Sequence, residues 1–307
     1  MNKISIKDLE LNGKRAFIRV DFNVPISGGK VADDTRIQGA LPTINYAIEK
    51  GAKVILASHL GRPKGERADR FSLKPVADEL SSILGKEVAF GEDCIGAEID
   101  ETVSKLAEGD VLLLENVRFH KGEKENDEEF AKALADNADV YINDAFGTAH
   151  RAHASTAGIT KFVDQCAAGL LLERELTVLG KILESPERPF VAILGGAKVS
   201  DKIPIIKSLI EKKVNKLLIG GAMAYTFFKA MGYTIGKSLC EDEMMPTALE
   251  IKKLAEEAGV ELILPTDHKT VDSFDPLNSM REMPVDFTNA GLVGLDIGKE
   301  TGAIFEK

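Results

Sequence analysis

Four arginines, Arg36, Arg62, Arg118 and Arg151, stand far apart in the chain but in similar local settings. Arg62 follows the β-forming run "AKVILA" in "SHLGRP", beside His59. Arg118 follows "VLLL" in "ENVRF", and Arg151 follows "DVYI" in "NDAFGTAHRAH". A fourth run, "RAFIRV", leads into "DFNVP" with Asp21 and Asn23, and Arg36 opens a helix for which Asp34 or Thr35 would be the cap. A single loop arginine is ordinarily a solvated surface charge. Four of them delivered to one edge of a sheet describe a pocket for a small, multiply charged anion, because guanidinium binds phosphate and carboxylate bidentately and stays charged.

His150, Arg151 and His153 crowd into four residues of a chain with five histidines. A metal site is one reading. No third ligand stands near at metal-binding spacing, and Arg151 would repel a cation, so a basic lining for the anion pocket fits better. Its bland rival is a part in holding the local helix.

The later part of the chain carries different equipment. "VAILGGAKVSDKIP" reads as a strand, then Gly195-Gly196, Lys198 and Lys202, then a helix capped by Ser200 or Asp201 with Pro204 in its first turn. The run "LLIGGAMAYTF" places Gly220-Gly221 at a second strand-to-helix junction. Paired glycines let backbone amides approach a phosphate, and a helix N-terminus favours negative charge. Neither a P-loop nor a dinucleotide fingerprint is present. One Gly-Gly pair is usually just a tight turn; two at successive strand ends, one with spaced lysines, favour a nucleotide polyphosphate.

These groups must be held by alternating strands and helices. "RAFIRV", "AKVILA", "VLLL" and "DVYI" are nearly continuous apolar runs, the signature of strands buried on both faces. Helical spacing marks 36–50 and 73–84, the latter through Leu73, Val76, Ala77, Leu80, Ile83 and Leu84. "ENDEEFAKALADNA" predicts a helix capped by Asn126 with acids in its first turn. "FVAIL", "KLLI" and "ELIL" repeat the strand pattern. Alternation of this kind implies parallel sheets with covered faces. Leu172, Leu176, Leu179 and Leu183 form one stripe before Pro186 and Pro189, as in a helix that bridges two domains. The expected division is 1–165, a connecting helix at 166–185, and a second α/β domain at 186–307.

At 307 residues, two domains are the natural expectation. The net charge of −10 disfavours a general nucleic-acid or membrane-surface binder. Three scattered cysteines argue against a disulfide framework or a thiolate zinc site. With no signal-like segment and no stretch of 18 apolar residues, a soluble cytoplasmic protein is expected. An anion pocket on one domain and a nucleotide site on the other suit phosphoryl transfer, where positioning and charge neutralisation do most of the catalysis.

"RVDFNVP", "LASHLGRP", "LLLENVRF", "YINDAFGTAHRAHAST", "AILGGAKVSDK", "GGAMAYTF" and "GLDIG" resemble, in order, the motifs of phosphoglycerate kinases, from about residue 4 to the end. The resemblance implies an α/β protein of two doubly wound parallel-sheet domains joined by a long helix. It implies reversible transfer of the acyl phosphate of 1,3-bisphosphoglycerate to Mg-ADP, giving 3-phosphoglycerate and ATP. Asp21, Phe22, Asn23, Arg36, His59, Leu60, Gly61, Arg62, Arg118, His150, Arg151 and His153 would be the substrate side. Gly195, Gly196, Lys198, Lys202, Gly220, Gly221 and Gly294 would be the nucleotide side. Arg36, Lys198 and Lys202 would be catalytic, with no nucleophilic side chain, no metal ligands of the protein's own, and Mg2+ carried by ATP or ADP. A monomer is expected, with no nucleic-acid or membrane partner. The family's sequence also runs on beyond "TGAIFEK", so the second domain is expected to be incomplete and the activity of this chain is left open. The rival reading is a non-catalytic anion- or nucleotide-binding fragment; a nicotinamide dehydrogenase is disfavoured by the missing fingerprint.

Overall fold

The computed structural model describes residues 3–273, 275, 280–287 and 291–307. The chain forms two compact units, Met1–Gly180 and Lys181–Lys307.

The first unit contains β1 (Arg15–Arg19), β2 (Ile26–Ser27), β3 (Lys30–Val31), β4 (Lys53–Ala57), β5 (Val88–Gly91), β6 (Val111–Leu114), β7 (Val140–Asn143) and β8 (Cys166–Ala168). Its helices are α1 (Thr35–Glu49), α2 (Lys74–Leu84), α3 (Ala97–Ser104), α4 (Lys121–Glu125), α5 (Glu128–Ala135), α6 (Phe146–Ala149) and the start of α7 (Leu170–Glu184). Six strands form one parallel sheet in the order β5-β6-β4-β1-β7-β8. The apolar runs are strands because both of their faces are covered. Ile18, Leu56, Leu113 and Ile142 join one core with Ile37 and Ile44 of α1 and Leu80 of α2. Phe17, Ile55, Leu112 and Tyr141 join the other with Ile99 of α3 and Phe130 and Leu134 of α5.

Strand order reverses beside β1, which pairs with β4 on one side and β7 on the other. Arg19 is level with both Ala57 and Asn143, so the three strands end together. The crevice beyond such a reversal is where open α/β sheets bind ligands.

Some boundaries differ from those read off the sequence. Residues 166–168 are the edge strand β8, and the helix begins at Leu170. Leu172 of its stripe is buried, while Leu176 and Leu179 are exposed; the Leu183 side chain lies outside the described residues. Asp127, not Asn126, caps α5, its carboxylate accepting from the Phe130 N–H at 2.8 Å. Asn126 instead takes a left-handed conformation that ends α4.

The second unit contains β9 (Val191–Leu194), β10 (Lys216–Ile219), β11 (Glu261–Ile263), β12 (Asp267–Val271), β13 (Arg281–Pro284) and β14 (Val293–Ile297). Its helices are α8 (Ile203–Glu211), α9 (Met223–Ala230), α10 (Met245–Glu257) and α11 (Lys299–Phe305). β11-β10-β9 is a parallel sheet, packed on a core that includes Ile206, Leu217, Phe227 and Ile251. The expected wholly parallel architecture is corrected here, because β13-β12-β14 is a separate antiparallel sheet. Among the described residues no α-helix intervenes between these strands, only a 3-10 turn at Val285–Phe287, and connections that short return a chain antiparallel. β9 is an edge strand with Val191 and Ile193 exposed, unlike the doubly buried strand that "FVAIL" suggests.

Candidate active site

In the first unit, Asp21, Asn23, Arg36, His59, Gly61, Arg62, Arg118, Gly147, Thr148 and Arg151 line one open pocket of about 250 Å³ at the carboxyl ends of the strands. The four arginines predicted to converge are all on its wall. Asp21 accepts from Arg36 Nη1 at 2.7 Å, which holds an otherwise exposed guanidinium at the rim. Asn23 Oδ1 accepts from the Gly61 N–H at 2.8 Å, and Arg118 Nη1 donates to the Gly61 carbonyl at 2.9 Å. The loop carrying Arg62 is thus tied to two walls. Gly61 has φ +62°, and a Cβ there would collide with the Phe71 ring.

Behind the pocket lies a buried charged network. Arg19 is fully buried at the end of β1, donating from Nε to Ser155 Oγ at 2.8 Å and from Nη1 to the Val20 carbonyl. Ser155 Oγ donates in turn to Glu123 at 2.7 Å, whose other oxygen accepts from the Ser155 N–H at 2.9 Å. Burial works to raise the Glu123 pKa, but His153, Arg19 and the Ser155 donors outweigh it and hold the carboxyl below its ordinary value.

Arg19 Nη2 lies 3.1 Å from His59 Nδ1. A guanidinium only donates, so Nδ1 accepts and the ring proton sits on Nε2. Burial, then the charges of Arg19, Arg118, Arg151 and Arg36, push the His59 pKa down to about 2. His59 therefore lines the pocket as a neutral N–H donor. Burial, followed by the Arg19 and Arg151 charges, also lowers the Arg118 pKa, and Arg118 Nε is buried without a partner. So dense a gathering of cations is relieved by an anion.

Four of the sequence candidates stand elsewhere. Phe22 and Leu60 are buried core side chains; only their neighbours reach the pocket. His150 is exposed beside Arg151, its Nε2 3.3 Å from Arg151 Nε. His153 is buried and turned to Glu123, Nδ1 to carboxylate 3.7 Å, so it supports the network instead of lining the pocket. Arg19, Glu123, Ser155, Gly147 and Thr148 were not anticipated. Arg19 had one signal, a charge inside the apolar run "RAFIRV"; Glu123 had none, because it reads as part of a solvated acidic stretch.

In the second unit, the two glycine pairs stack on each other. The Gly220 N–H donates to the Leu194 carbonyl at 2.8 Å, and the Met223 N–H to the Gly196 carbonyl at 2.9 Å. Gly221 has φ +69°, and a Cβ there would lie 2.8 Å from Gly196 N and 3.0 Å from Gly196 O. Gly195, Gly196 and Gly221 are exposed, so the bare turns face solvent. The Lys202 stem lies over Gly196, with Cε 3.6 Å from where a Cβ would stand, and Lys198 is exposed on the loop before it. The anticipated cap differs: Ser200 donates its hydroxyl to Glu241 at 2.6 Å, and α8 starts after Lys202 without a side-chain cap. Gly294 backs onto Tyr225, whose hydroxyl a Cβ would strike. Tyr225 and Gly221 line one small cavity with His268 and Leu295, and the Tyr225 hydroxyl is 2.7 Å from His268 Nδ1.

The chain matches the phosphoglycerate kinase family over residues 6–307. It belongs to that family. The phosphoglycerate kinase of Coxiella burnetii is 42% identical, with a TM-score of 0.84 over 99% of this chain and 76% of that one. That of Pyrococcus horikoshii OT3 is 29% identical, with a TM-score of 0.79 over 98% of this chain and 77% of that one. As a phosphoglycerate kinase the chain catalyses the reversible conversion of 1,3-bisphosphoglycerate and ADP to 3-phosphoglycerate and ATP, with Mg2+ carried on the nucleotide. Against the expectation of an incomplete second domain, the family match continues to residue 307 and residues 181–307 form a compact unit with a core of their own; the chain spans 76% and 77% of the two solved relatives. The doubt about activity, and the rival reading of a non-catalytic fragment, fall with it.

Proposed function

We propose that the first unit's arginine pocket holds 3-phosphoglycerate and the acyl phosphate of 1,3-bisphosphoglycerate. The glycine turns and lysines of the second unit hold the Mg-nucleotide. The observation that carries the first assignment is the presence of Arg36, Arg62, Arg118 and Arg151 on one wall with no carboxylate but Asp21 among the lining residues. Arg62, Arg118 and Arg151 bind the ligand's phosphate and carboxylate oxygens, and neutral His59 donates Nε2–H to one of them. Arg36, aimed by Asp21, neutralises charge on the phosphoryl group presented at the rim.

The second assignment is supported by the stacked Gly195-Gly196 and Gly220-Gly221 turns, where a bound phosphate would meet bare backbone with the Lys202 side chain beside it. Lys202 neutralises nucleotide phosphate charge and Lys198 charge on the transferring group. Gly294 keeps Tyr225 against the Gly221 side of this region. The acceptor oxygen belongs to the ligand, so no side-chain nucleophile is needed. Catalysis consists of positioning and charge neutralisation. Among the described residues no helix is long and apolar enough to cross a membrane. With the net charge of −10, this supports a cytoplasmic monomer without nucleic-acid or membrane partners.

The test is a coupled assay of ATP formation. Arg36→Ala and Lys198→Ala should each lower kcat about 10²- to 10³-fold with unchanged circular dichroism. Arg62→Ala should mainly raise the KM for 1,3-bisphosphoglycerate and weaken 3-phosphoglycerate binding. An Arg36→Ala enzyme within twofold of wild type would refute the assignment of the rim.

A further inference from the structure

We propose that Asp93, Cys94 and His120 form a binding site for a borderline-soft divalent cation, with Zn2+ the ion their ligand set fits. Asp93 and Cys94 follow β5, and His120 follows the turn after β6. These strands lie side by side at one end of the sheet, and the segment after β6 also carries Arg118 of the anion pocket, two residues before His120. The Asp93 carboxylate, Cys94 Sγ and a His120 ring nitrogen all lie within 4.8 Å of one another. A tetrahedral zinc ion with ligand bonds of about 2.0–2.3 Å spaces its ligands by roughly 3.3–3.8 Å, so small adjustments would close the three around an ion.

The ligands are held before any ion arrives. Asp93 Oδ1 lies 2.6 Å from His120 Nε2 and accepts from the Cys94 N–H at 2.6 Å. The His120 ring stacks on Phe130, centroids 4.9 Å apart and planes at 22°. Cys94 is buried, closing the inner side, whereas the Asp93 side chain is 50% exposed and His120 30%. Water can therefore fill a fourth position from outside. One thiolate, one imidazole and one carboxylate suit Zn2+ better than Mg2+ or Ca2+, which take oxygen ligands. On binding, the thiol proton leaves to solvent, and the ring proton now directed from His120 Nε2 to Asp93 is carried on Nδ1 instead. The cysteine spacing concealed this site, because its histidine comes from another segment of the chain.

Cobalt(II) is the probe, added stoichiometrically to the full chain under reducing conditions without phosphate or nucleotide. A near-ultraviolet thiolate-to-cobalt band and visible bands of tetrahedral intensity are expected, and Zn2+ should abolish both. Cys94→Ser should lose the near-ultraviolet band, while Cys166→Ser and Cys240→Ser should keep it. His120→Asn, a change at the half-exposed side, should weaken cobalt affinity at least tenfold while leaving the fold intact by circular dichroism; it keeps the proposal testable if Cys94→Ser does not fold. Absence of the thiolate band in wild type, its loss in Cys166→Ser or Cys240→Ser, or unchanged affinity in His120→Asn would overturn the proposal.

Discussion

In the first unit, the groups that face the pocket depend on charges hidden behind them. Arg19 sets the His59 tautomer, Ser155 bridges Arg19 to Glu123, and Gly61 is held between Asn23 and Arg118. In the second unit, the comparable surface is backbone: two glycine turns packed against each other, with a lysine stem laid across one of them. Both surfaces suit negative charge, but they are built to fail differently. A side-chain pocket of this kind is damaged by losing a buried partner it never shows to the ligand. A backbone turn is damaged by gaining a single methyl group.

The sharpest way to break this contrast is at Glu123. Glu123→Gln removes the buried negative charge that Arg19 reaches through Ser155. Breaking a buried charge pair by removing one partner costs about 3–5 kcal/mol, because the other charge stays buried and unpaired. Urea unfolding, with amide exchange resolved over residues 3–180, should register a loss of that size in the first unit. Lys198→Ala in the second unit should change stability by no more than about 0.5 kcal/mol, since Lys198 is exposed. Equal stability effects from the two changes would remove the distinction.

Gly221→Ala probes the other half of the comparison. A non-glycine residue in the left-handed region costs roughly 1–2 kcal/mol, and here the new Cβ would also press on the Gly196 backbone. The expected outcome is a loss of about 2 kcal/mol in the second unit's stability. The KM for ADP should rise about tenfold, and 3-phosphoglycerate binding should be unchanged. If Gly221→Ala left the nucleotide KM alone, the turns would be structural only.

The same contrast accounts for what could be read from the sequence. β1, β4, β6 and β7 are legible because burial on two faces forces nearly unbroken apolar runs. The pocket arginines are legible because each follows such a run, and strand ends share an edge. The support behind them is not: nothing local in "KGEKEN" separates the buried Glu123 from its solvated neighbours, and its pairing with Ser155 exists only after folding. His153 misleads for the same reason, since proximity to Arg151 in sequence does not say which way its ring turns. β12 is hidden because "DHKTV" has no apolar run, although four of its five residues are buried. Gly221 was visible as a turn, but its contact with Gly196 depends on two strands being neighbours.

The smallest expected effect is a dependence on pH that the side-chain pocket should show and backbone amides, which do not titrate, cannot. His59 has its pKa lowered from 6.5 to about 2, mainly by burial and then by the surrounding arginines. The unfolded chain takes up this proton first, so the associated stability is fully present above pH 6.5 and is lost as pH falls toward 2. Asp144, at the end of β7, has the opposite sign. Burial raises its pKa from 3.8 to about 6 despite the Leu171 and Leu172 N–H groups it accepts from, and its other oxygen is buried without a partner. Its stability contribution is full below pH 3.8 and is lost as pH rises through 6. Between these limits the two slopes, each about 1.4 kcal/mol per pH unit, offset one another, so wild type alone would conceal both. Comparison with single variants separates them. The stability of wild type relative to His59→Gln should fall by about that slope as pH drops from 6 to 5, while relative to Asp144→Asn it should rise by a similar amount. Parallel curves for both variants would mean that neither group is held in the protonation state that its burial dictates, and the pocket's dependence on hidden charge would then stop at Glu123.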